Sequence, residues 1–304
     1  MKIDAVIVTY NRLEKLKKAI EAFEKQTYLP HRLIIVNNNS NDKTKEFLEN
    51  WEQKKDNFEK VIINMDENIG GAGGFAVGMK YALENNSEWL WVSDDDAYPD
   101  KNALKIANDF LEKHKNENIS AICGTVLNKE GKIDFDHRRY LKEGIIRLKE
   151  INTTEEDYKK ECFNIDLFTY VATIINVKKM NDVGISNKDF FIYYDDSDHA
   201  ARLRKVGKII CVPEITTVHD VDKTSKTADY SWKTYYLFRN KLFFLKNNFK
   251  HKYVRLEIIL IWLRIFKKKN KSCTRLILTA INDFKNNKLG KNSEYVPGKN
   301  IYKS

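Results

Sequence analysis

Apolar and polar positions alternate in blocks along the first part of the chain. Short apolar, β-branched runs predict strands at residues 3–8, 32–36, 61–64 and 89–92. Between them, apolar residues recur with helical spacing, as at Leu13, Leu16 and Ile20, and the third helix is expected at about 75–84. Strands that alternate with helices predict an α/β fold with a mostly parallel central sheet, in which ligands bind at the carboxyl ends of the strands.

The alternation loosens after a helix predicted at 103–111 and a strand predicted at 121–126. Residues 129–165 are rich in Lys, Glu and Asp and are typical of an insertion or a mobile loop. Ordered segments return at 167–176, 190–194 and 208–212, and helical, aromatic sequence follows from Trp232. We expect a large α/β domain over residues 1–231 and a helical region over residues 232–304, whose last fifteen or so residues form a loose tail.

Charge and cysteine content narrow the class of protein. The 304 residues carry a formal charge of +10, so the partner is expected to be anionic: nucleic acid, an acidic membrane surface or phosphate groups. The four cysteines are far apart without CxxC spacing, which argues against a zinc knuckle or disulfide framework and favours a reduced, cytoplasmic protein. The N-terminal apolar run is too short for a signal peptide, and the run from Val254 to Phe266 is short and interrupted by charges, so no segment is expected to cross a membrane.

Three consecutive aspartates follow the fourth predicted strand. In extended geometry Asp94 and Asp96 point the same way and can share one hard divalent cation, which would also offset the repulsion among the carboxylates. His219 follows another predicted strand, beside Asp220, and is a candidate third ligand. The alternatives are a solvated Asp-rich turn and a structural histidine.

Two other segments carry candidate chemistry. The glycine-rich stretch at 68–74 follows a strand and precedes a helix, so its amide groups are candidates for phosphate contacts, with a flexible connector as the alternative. Asp195, Asp196 and Asp198 open a predicted helix. One or two of these carboxylates suit the helix dipole, which leaves another available as a general base.

Six motifs, taken in order, resemble the family 2 glycosyltransferases. They are VTYNR at 8–12, IIVNNNSND at 34–42, ENIGGAGGF at 67–75, SDDDAYP at 93–99, FFIYYDDSDHAARLRKVG at 190–207 and VHD at 218–220. Within that family, the glycine motif and the later YYLFRN resemble bacterial galactofuranosyl- and rhamnosyltransferases. The resemblance covers roughly residues 1–245 and implies a GT-A nucleotide-sugar-binding fold that inverts the anomeric centre by direct displacement.

The resemblance also implies roles for individual residues. Asp94, Asp96 and His219 would hold Mn or Mg, and Asp196 would act as the catalytic base, or Asp195 if the register is shifted by one. The nucleotide-sugar would contact nine residues: Thr9, Asn11, Arg12, Asn38, Asn68, Gly70, Gly71, Asp94 and Asp95.

The resemblance implies UDP-galactofuranose as the donor, with dTDP-rhamnose as the alternative. The implied acceptor is a hydroxyl group of a surface polysaccharide or a lipid-linked glycan, and the insertion at 129–165 would lie on the acceptor side. The second strand ends in Asn37 and Asn38, where the family usually has Asp-Asn. The choice between a uridine and a deoxythymidine nucleotide therefore stays open.

The predicted C-terminal helices bear on where in the cell the protein acts and on what they pack against. A helix over Val254–Phe266 would place Glu257, Arg264 and Lys268 on one stripe and leave a wide apolar face flanked by basic residues. Three arrangements follow: a helix packed on the catalytic domain, a peripheral helix on anionic lipid at the inner face of the cytoplasmic membrane, and a homodimer contact.

Two other functions fit the sequence less well. A sugar nucleotidyltransferase would carry an Arg- and Lys-bearing glycine-rich signature after the first strand, where this chain has Thr9-Tyr10-Asn11-Arg12. A basic nucleic-acid-binding protein would account for the charge and for the aromatic, basic helices, but it leaves the aspartate cluster unexplained. We therefore expect no nucleic-acid partner.

Overall fold

Strands and helices alternate along the computed structural model, which describes residues 1–221, 231–267 and 271–299. The strands are β1 (Ile3–Thr9), β2 (Arg32–Asn37), β3 (Glu59–Asn64), β4 (Trp89–Asp94), β5 (Ala97–Pro99), β6 (Ile119–Leu127), β7 (Arg138–Glu143), β8 (Leu148–Asn152), β9 (Phe163–Ile165), β10 (Leu167–Phe168), β11 (Thr173–Asn176) and β12 (Lys208–His219). The helices are α1 (Leu13–Glu24), α2 (Thr44–Glu52), α3 (Gly70–Glu84), α4 (Ala103–Lys113), α5 (Val177–Val183), α6 (Asp195–Leu203), α7 (Trp232–Asn248), α8 (His251–Lys267) and α9 (Lys271–Lys285).

The central sheet has the strand order β3-β2-β1-β4-β11-β6-β12-β5, and β9 pairs with β12. Neighbouring strands are parallel from β3 to β4 and between β6 and β12, whereas β11 and β5 run antiparallel to their neighbours. The prediction of an α/β fold with a mostly parallel sheet is confirmed. Thr9 pairs with Asn37, and Val8 pairs with Asp94, so the carboxyl ends of β1, β2 and β4 meet at one edge.

Each central strand contributes to two apolar layers, because successive side chains point to opposite faces of the sheet. In β1, Val6 and Val8 pack on the side that contains α3 and α5–α9. Ala5 and Ile7 pack on the other side, with α1, α2 and α4. Burial on both faces explains why the strand is almost continuously apolar in sequence.

The charged stretch at 129–165 contains an ordered hairpin, so the expectation of a mobile loop is wrong. β7 and β8 pair antiparallel, and β10 pairs with β7 to complete a second sheet of three strands. The buried side chain of Arg138 donates hydrogen bonds to the carbonyl oxygens of Gly124, Val171 and Ala172 at 2.7–3.1 Å and ties the hairpin to the central sheet. The apolar pattern misses this hairpin because Arg138 is the one buried residue of its two strands and many of the others are charged.

The region after residue 231 is helical, as predicted, but it also holds α9 and an ordered tail. Tyr295 is buried, and its ring stacks on Tyr235 with centroids 4.6 Å apart. Its carbonyl oxygen accepts a hydrogen bond from the hydroxyl of Tyr236 at 2.9 Å. The expectation of a loose tail is therefore wrong around Tyr295, because these contacts anchor it to α7. Residues 300–304 lie outside the described residues, and the division of the chain at residue 231 stays a prediction.

Helix α8 turns a charged residue inward and apolar residues outward. Glu257 is buried, and its Oε1 pairs with Lys241 Nζ at 2.9 Å, whereas Ile259 and Leu263 are exposed. Glu257 is therefore not part of an exposed polar stripe, because the ion pair with the partly buried Lys241 offsets the cost of turning its carboxylate inward. Lys268 and the side chain of Arg264 lie outside what the structure describes. None of the helices within the described ranges is long and apolar enough to span a membrane.

Candidate active site

A cleft opens at the edge where β1, β2 and β4 end, with a cavity of about 280 Å³. Eight of the nine residues expected at the nucleotide-sugar line it: Thr9, Arg12, Asn38, Asn68, Gly70, Gly71, Asp94 and Asp95. Asn11 is the exception, because its Oδ1 accepts a hydrogen bond from the amide of Asn41 at 2.8 Å and so secures the loop after β2. A concave site at the strand ends is where this type of fold binds ligands.

Asp95 is held in the cleft by residues at the end of β1. Thr9 Oγ1 donates to its Oδ2 at 2.8 Å, and Arg12 Nη1 donates to its Oδ1 at 3.1 Å. The same Arg12 nitrogen lies 2.8 Å from Asp96 Oδ2. Burial raises the pKa of Asp95 to about 6, although the charge of Arg12 acts in the opposite direction. The half-exposed Arg12 therefore brings positive charge to the cleft while it bridges two aspartates.

Asp94, Asp96 and His219 come together beside the cleft. Each offers one ligand atom, and these atoms lie within 4.8 Å of one another. Asp96 lies in the turn between β4 and β5, so the two carboxylates converge across a turn and not along an extended strand as the sequence predicted. The antiparallel pairing of β12 with β5 places His219 opposite Ala97, and its Nε2 lies 3.4 Å from Asp96 Oδ1.

The protonation of these three groups is set by burial and by their mutual charges. Burial, followed by the charge of Asp96, raises the pKa of Asp94 to about 7. Burial acts to raise the pKa of Asp96, but the hydrogen bond with His219 and the charges of His219, Arg12 and Lys15 together outweigh burial and lower the pKa. Burial acts to lower the pKa of His219, but the two carboxylates outweigh it and raise the pKa. Two carboxylates and an imidazole are a ligand set that fits Mn or Mg, so the cluster can hold a divalent cation.

The glycine-rich stretch forms the first turns of α3, which begins at Gly70. The prediction of a separate loop before a helix that begins at about Phe75 is therefore wrong. Asn68 Oδ1 accepts a hydrogen bond from the amide of Gly70 at 2.8 Å, and Asn38 Oδ1 accepts one from the amide of Ile69 at 3.0 Å. Gly70 has φ +79°, and a Cβ there would lie 2.1 Å from the carbonyl oxygen of Phe191. A glycine is therefore required at this position by the protein itself, whereas the space beside Gly71 is open.

The segment before α6 has a strained backbone that α7 supports. Phe191, Tyr193 and Tyr194 have φ of 66°, 67° and 65°. Asn240 Nδ2 lies 2.8–2.9 Å from the carbonyl oxygens of Phe190, Ile192 and Tyr193. This gives the YYLFRN motif a physical role, since such backbone conformations persist only where surrounding contacts hold them.

Asp195 and Asp196 follow this strained segment but do not line the cleft cavity. Asp195 is buried, and burial, together with the charges of Asp196 and Asp94, raises its pKa well above the ordinary value. Asp196 is partly exposed, and its Oδ1 accepts a hydrogen bond from the amide of Ser197 at 2.5 Å. Burial also raises the pKa of Asp196, against the opposing charge of Arg139. The two carboxylates thus differ in access, and Asp196 is the more accessible.

Seven residues line the cleft that were not among the predicted site residues: Val8, Tyr10, Phe191, Ile192, Trp232, Lys233 and Pro297. The first four lie within the motifs at 8–12 and 190–207, so the sequence indicates the segments that contain them. Trp232, Lys233 and Pro297 lie far along the chain, and no local pattern connects them to the strand ends. Lys233 adds a second cation to the cleft, and burial lowers its pKa.

Comparison with known proteins gives one family. The profile of glycosyl transferase family 2 matches residues 4–184. The galactofuranosyltransferase GlfT1 of Mycolicibacterium smegmatis is 27% identical over 212 residues, which cover 67% of this chain and 65% of that protein. GlfT1 of Mycobacterium tuberculosis is 25% identical over 207 residues, which cover 67% of this chain and 64% of that protein. The match thus spans just under two thirds of each relative.

Solved structures show the fold. S. aureus TarS residues 1–349, solved with UDP-GlcNAc, superimposes with a TM-score of 0.60 at 16% identity, over 93% of this chain and 80% of that chain. The mannosyltransferase PcManGT of Pyrobaculum calidifontis, solved with GDP-Man and Mn²⁺, gives a TM-score of 0.57 at 15% identity, over 93% of this chain and 69% of that chain. The prediction of a GT-A fold is confirmed.

Proposed function

The chain belongs to glycosyl transferase family 2, and we propose that it transfers galactofuranose from UDP-galactofuranose to a hydroxyl group of a surface polysaccharide or a lipid-linked glycan intermediate. The observation that supports this most directly is the cleft in which eight predicted nucleotide-sugar residues adjoin the Asp94, Asp96 and His219 cluster. The choice of sugar is supported by the two GlfT1 relatives, which are named galactofuranosyltransferases.

The cleft residues are proposed to bind the donor through its nucleotide and diphosphate. Arg12 and Lys233 bring two cations to the cleft, where negative charge develops on the departing nucleoside diphosphate. Asn38 and Asn68 offer amide groups for the ribose or base, and Gly71 leaves space for the donor to approach the start of α3.

Asp94, Asp96 and His219 are proposed to hold Mn²⁺ or Mg²⁺. Their ligand atoms lie close enough together for one cation, and oxygen and imidazole ligands suit both metals. When bound, the cation supplies electrostatic stabilisation to the leaving diphosphate. The presence of Mn²⁺ in the structures of PcManGT and of GalNAc-T7 supports this assignment.

Asp196 is proposed to act as the general base, with Asp195 as the alternative. Asp196 is partly exposed, Ser197 orients one of its oxygens, and its raised pKa brings it closer to the working pH of a base. It takes the proton of the acceptor hydroxyl while that oxygen attacks the anomeric carbon. The nucleoside diphosphate leaves from the opposite face, so the configuration inverts and no covalent enzyme intermediate forms.

Two relatives bear on the acceptor and on the alternative donor. A protein of Campylobacter jejuni named GalNAc(5)-diNAcBac-PP-undecaprenol beta-1,3-glucosyltransferase is 25% identical over 62% of this chain, which supports a lipid-linked acceptor. The O-antigen chain rhamnosyltransferase WbaN of Salmonella anatum is 28% identical over 40% of this chain and supports dTDP-rhamnose as the alternative donor. A lipid-linked acceptor would place the enzyme at the inner face of the cytoplasmic membrane.

Donor hydrolysis and donor binding test the proposal. The protein is incubated with Mn²⁺ and, separately, with UDP-galactofuranose, UDP-galactopyranose, UDP-GlcNAc and dTDP-rhamnose, and release of UDP or dTDP is measured. Of the four donors, we expect only UDP-galactofuranose to release its nucleotide. This release of UDP should be lost when EDTA is added and in the Asp94→Asn variant. Asp109→Asn on the exposed side of α4 is the matched control and should retain activity.

Three results separate the parts of this proposal. Release from dTDP-rhamnose alone would overturn the sugar assignment and leave the transferase. Full activity with EDTA would overturn the metal assignment. If no donor releases nucleotide and none raises the melting temperature of the protein, the use of a nucleotide-sugar is contradicted.

A further inference from the structure

The most exposed large apolar side chains of the described residues belong to two segments. Ile145 and Ile146, in the turn of the β7–β8 hairpin, are 90% and 71% exposed, and Ile259 and Leu263 on α8 are 54% and 52% exposed. Single exposed apolar residues are ordinary on proteins, but a contiguous group marks an interaction surface.

Two hydrogen bonds join the hairpin turn to the start of α8. Lys252 Nζ donates to the carbonyl oxygen of Ile145 at 2.6 Å, and the hydroxyl of Tyr253 donates to the carbonyl oxygen of Gly144 at 2.9 Å. Ile259 follows Lys252 by two helical turns, about 10 Å along the same side of the helix. The turn and the helix therefore form one surface, which we call the tip–α8 surface: Ile145, Ile146, Lys252, Arg255, Ile259 and Leu263.

Basic side chains accompany these apolar residues. At about 100° per residue, the exposed residues of α8 fall within an arc of about 120°: His251, Lys252, Arg255, Ile259, Trp262 and Leu263. A cavity of about 260 Å³ next to this arc is lined, among the described residues, by Lys246, His251, Val254, Arg255, Phe284, Lys285 and Asn287, without a carboxylate. The surface thus combines apolar side chains with positive charge on a chain of formal charge +10.

We propose that the tip–α8 surface docks on a lipid bilayer that contains anionic lipid. Apolar side chains that insert at the headgroup level, flanked by cations that attract anionic headgroups, are the features of a peripheral membrane contact. A second copy of the chain fits this surface less well, because pairing like faces would bring the cations of both copies together. An acidic protein partner would match the charge, and the experiment below distinguishes it.

Docking at this surface would bring another cavity close to the bilayer. A cavity of about 230 Å³ lies between the hairpin, α7 and α8, and Tyr194 is among its lining residues. Its charged lining residues are two cations and two carboxylates: Arg147, Lys241, Glu150 and Glu257. Tyr194 directly precedes Asp195 and the proposed base Asp196. In this one respect the inference rests on the proposed function: a lipid-linked acceptor would reach the base from the docked side. The docking itself does not depend on the sugar that is transferred.

Vesicle flotation without any donor tests the docking. The full chain is mixed with vesicles of phosphatidylcholine alone or of phosphatidylcholine with phosphatidylglycerol, and the bound fraction is measured against lipid concentration. We expect binding only to the vesicles with phosphatidylglycerol, weaker as salt is raised. Ile145→Glu with Ile146→Glu, and separately Ile259→Glu with Leu263→Glu, should weaken binding about tenfold or more.

Further variants separate charge from packing. Arg255→Gln should weaken binding about fivefold, as expected for one cation near an anionic surface. Leu278→Glu on α9 makes the same kind of change at an exposed leucine outside the surface and should bind like the unaltered protein. Melting curves establish that each variant is folded, and serine replaces glutamate at any of these positions where the glutamate variant does not fold.

Equal binding by the unaltered protein and the two double variants would overturn the inference, and so would equal binding to vesicles with and without phosphatidylglycerol. Sedimentation of the same proteins in solution tests whether a second copy of the chain binds this surface. Self-association that the variants abolish, without vesicle binding by the unaltered protein, would assign the surface to a second copy. Absence of both would leave an acidic protein and reject the bilayer. None of these results depends on transferase activity, so the proposed function is tested separately.

Discussion

Replacement of Gly70 by alanine tests how the cleft is built. A Cβ on Gly70 would lie 2.1 Å from the carbonyl oxygen of Phe191, and the backbone of Gly70 has φ +79°. That oxygen is fixed, because it accepts a hydrogen bond from the amide of Ala72 at 3.1 Å, and Phe191 itself has φ 66°. Neither side relaxes easily, since the obstacle is backbone and not the end of a flexible side chain.

The cost of Gly70→Ala has two parts. The left-handed conformation costs an alanine about 1–2 kcal/mol more than a glycine. The shift of packed backbone needed to admit the methyl group adds about 1–3 kcal/mol. A total of about 3 kcal/mol corresponds to a fall in melting temperature of roughly 6–12 °C, at about 2–4 °C per kcal/mol for a domain of nearly this size.

Gly71→Ala is the matched control, because Gly71 is the next residue and also lines the cleft. No atom lies within 4 Å of a Cβ built on it, so the substitution meets no clash. Alanine is favoured over glycine in a helix by up to about 1 kcal/mol, so the melting temperature should stay level or rise slightly. The added methyl group stands where the donor is proposed to approach, and it should weaken the stabilisation that UDP gives.

Thermal unfolding followed by circular dichroism, with and without UDP, measures both effects. Different outcomes are expected at the two adjacent glycines: Gly70→Ala loses stability without ligand, and Gly71→Ala loses only the shift in melting temperature caused by UDP. A melting temperature for Gly70→Ala within about 2 °C of the unaltered protein, less than 1 kcal/mol, would refute the steric argument.

Three further predictions concern charge, catalysis and the strained segment. Because Asp94 has a pKa of about 7 and the pKa of His219 is also raised, both must lose a proton before they bind a cation, so Mn²⁺ affinity should fall as pH is lowered through about 7; calorimetry showing pH-independent affinity would contradict this. Asp196→Asn should lower kcat by about 10²–10⁴-fold with little change in donor KM, measured by UDP release, whereas such a loss only in Asp195→Asn would assign the base to Asp195. Asn240→Ala should cost about 1–3 kcal/mol, because it removes the donor to three carbonyl oxygens, and an unchanged urea midpoint would speak against that role.

Sequence patterns predict those parts of the fold whose strands are buried on both faces. β1 and β4 are almost continuous apolar runs because helices cover both sides of the sheet, so the apolar pattern locates them. The β7–β8 hairpin has few buried positions, and the contact that fixes it is the buried Arg138, a residue that a hydropathy pattern assigns to the surface. Tyr295 likewise anchors a polar tail through a ring contact with Tyr235 and a hydrogen bond from Tyr236, which local composition does not signal.

The candidate site is predictable to the extent that strand ends determine it. Thr9 and Asp94 follow apolar runs, and parallel pairing is enough to bring them to one edge. His219 is different, because its place beside Asp96 depends on the antiparallel pairing of β12 with the short strand β5, which no periodicity in the sequence reveals. Family resemblance indicates that His219 is a metal ligand. Composition and spacing alone leave a structural histidine as the alternative, because they do not reveal this long-range pairing.

The three carboxylates of the aspartate cluster differ in whether a cationic side chain of the protein contacts them. Arg12 contacts Asp95 and Asp96, and Lys15 Nζ lies 3.4 Å from Asp96 as well. Within the described part of the chain, the Asp94 carboxylate has no salt bridge or hydrogen bond, and it is the group whose pKa reaches about 7. Protein cations therefore contact two of the three carboxylates directly, whereas the charges of His219 and Arg12 act on Asp94 without a salt bridge and leave its pKa raised. A divalent cation held by Asp94, Asp96 and His219 would supply the positive charge that the ionised Asp94 carboxylate lacks among its direct contacts.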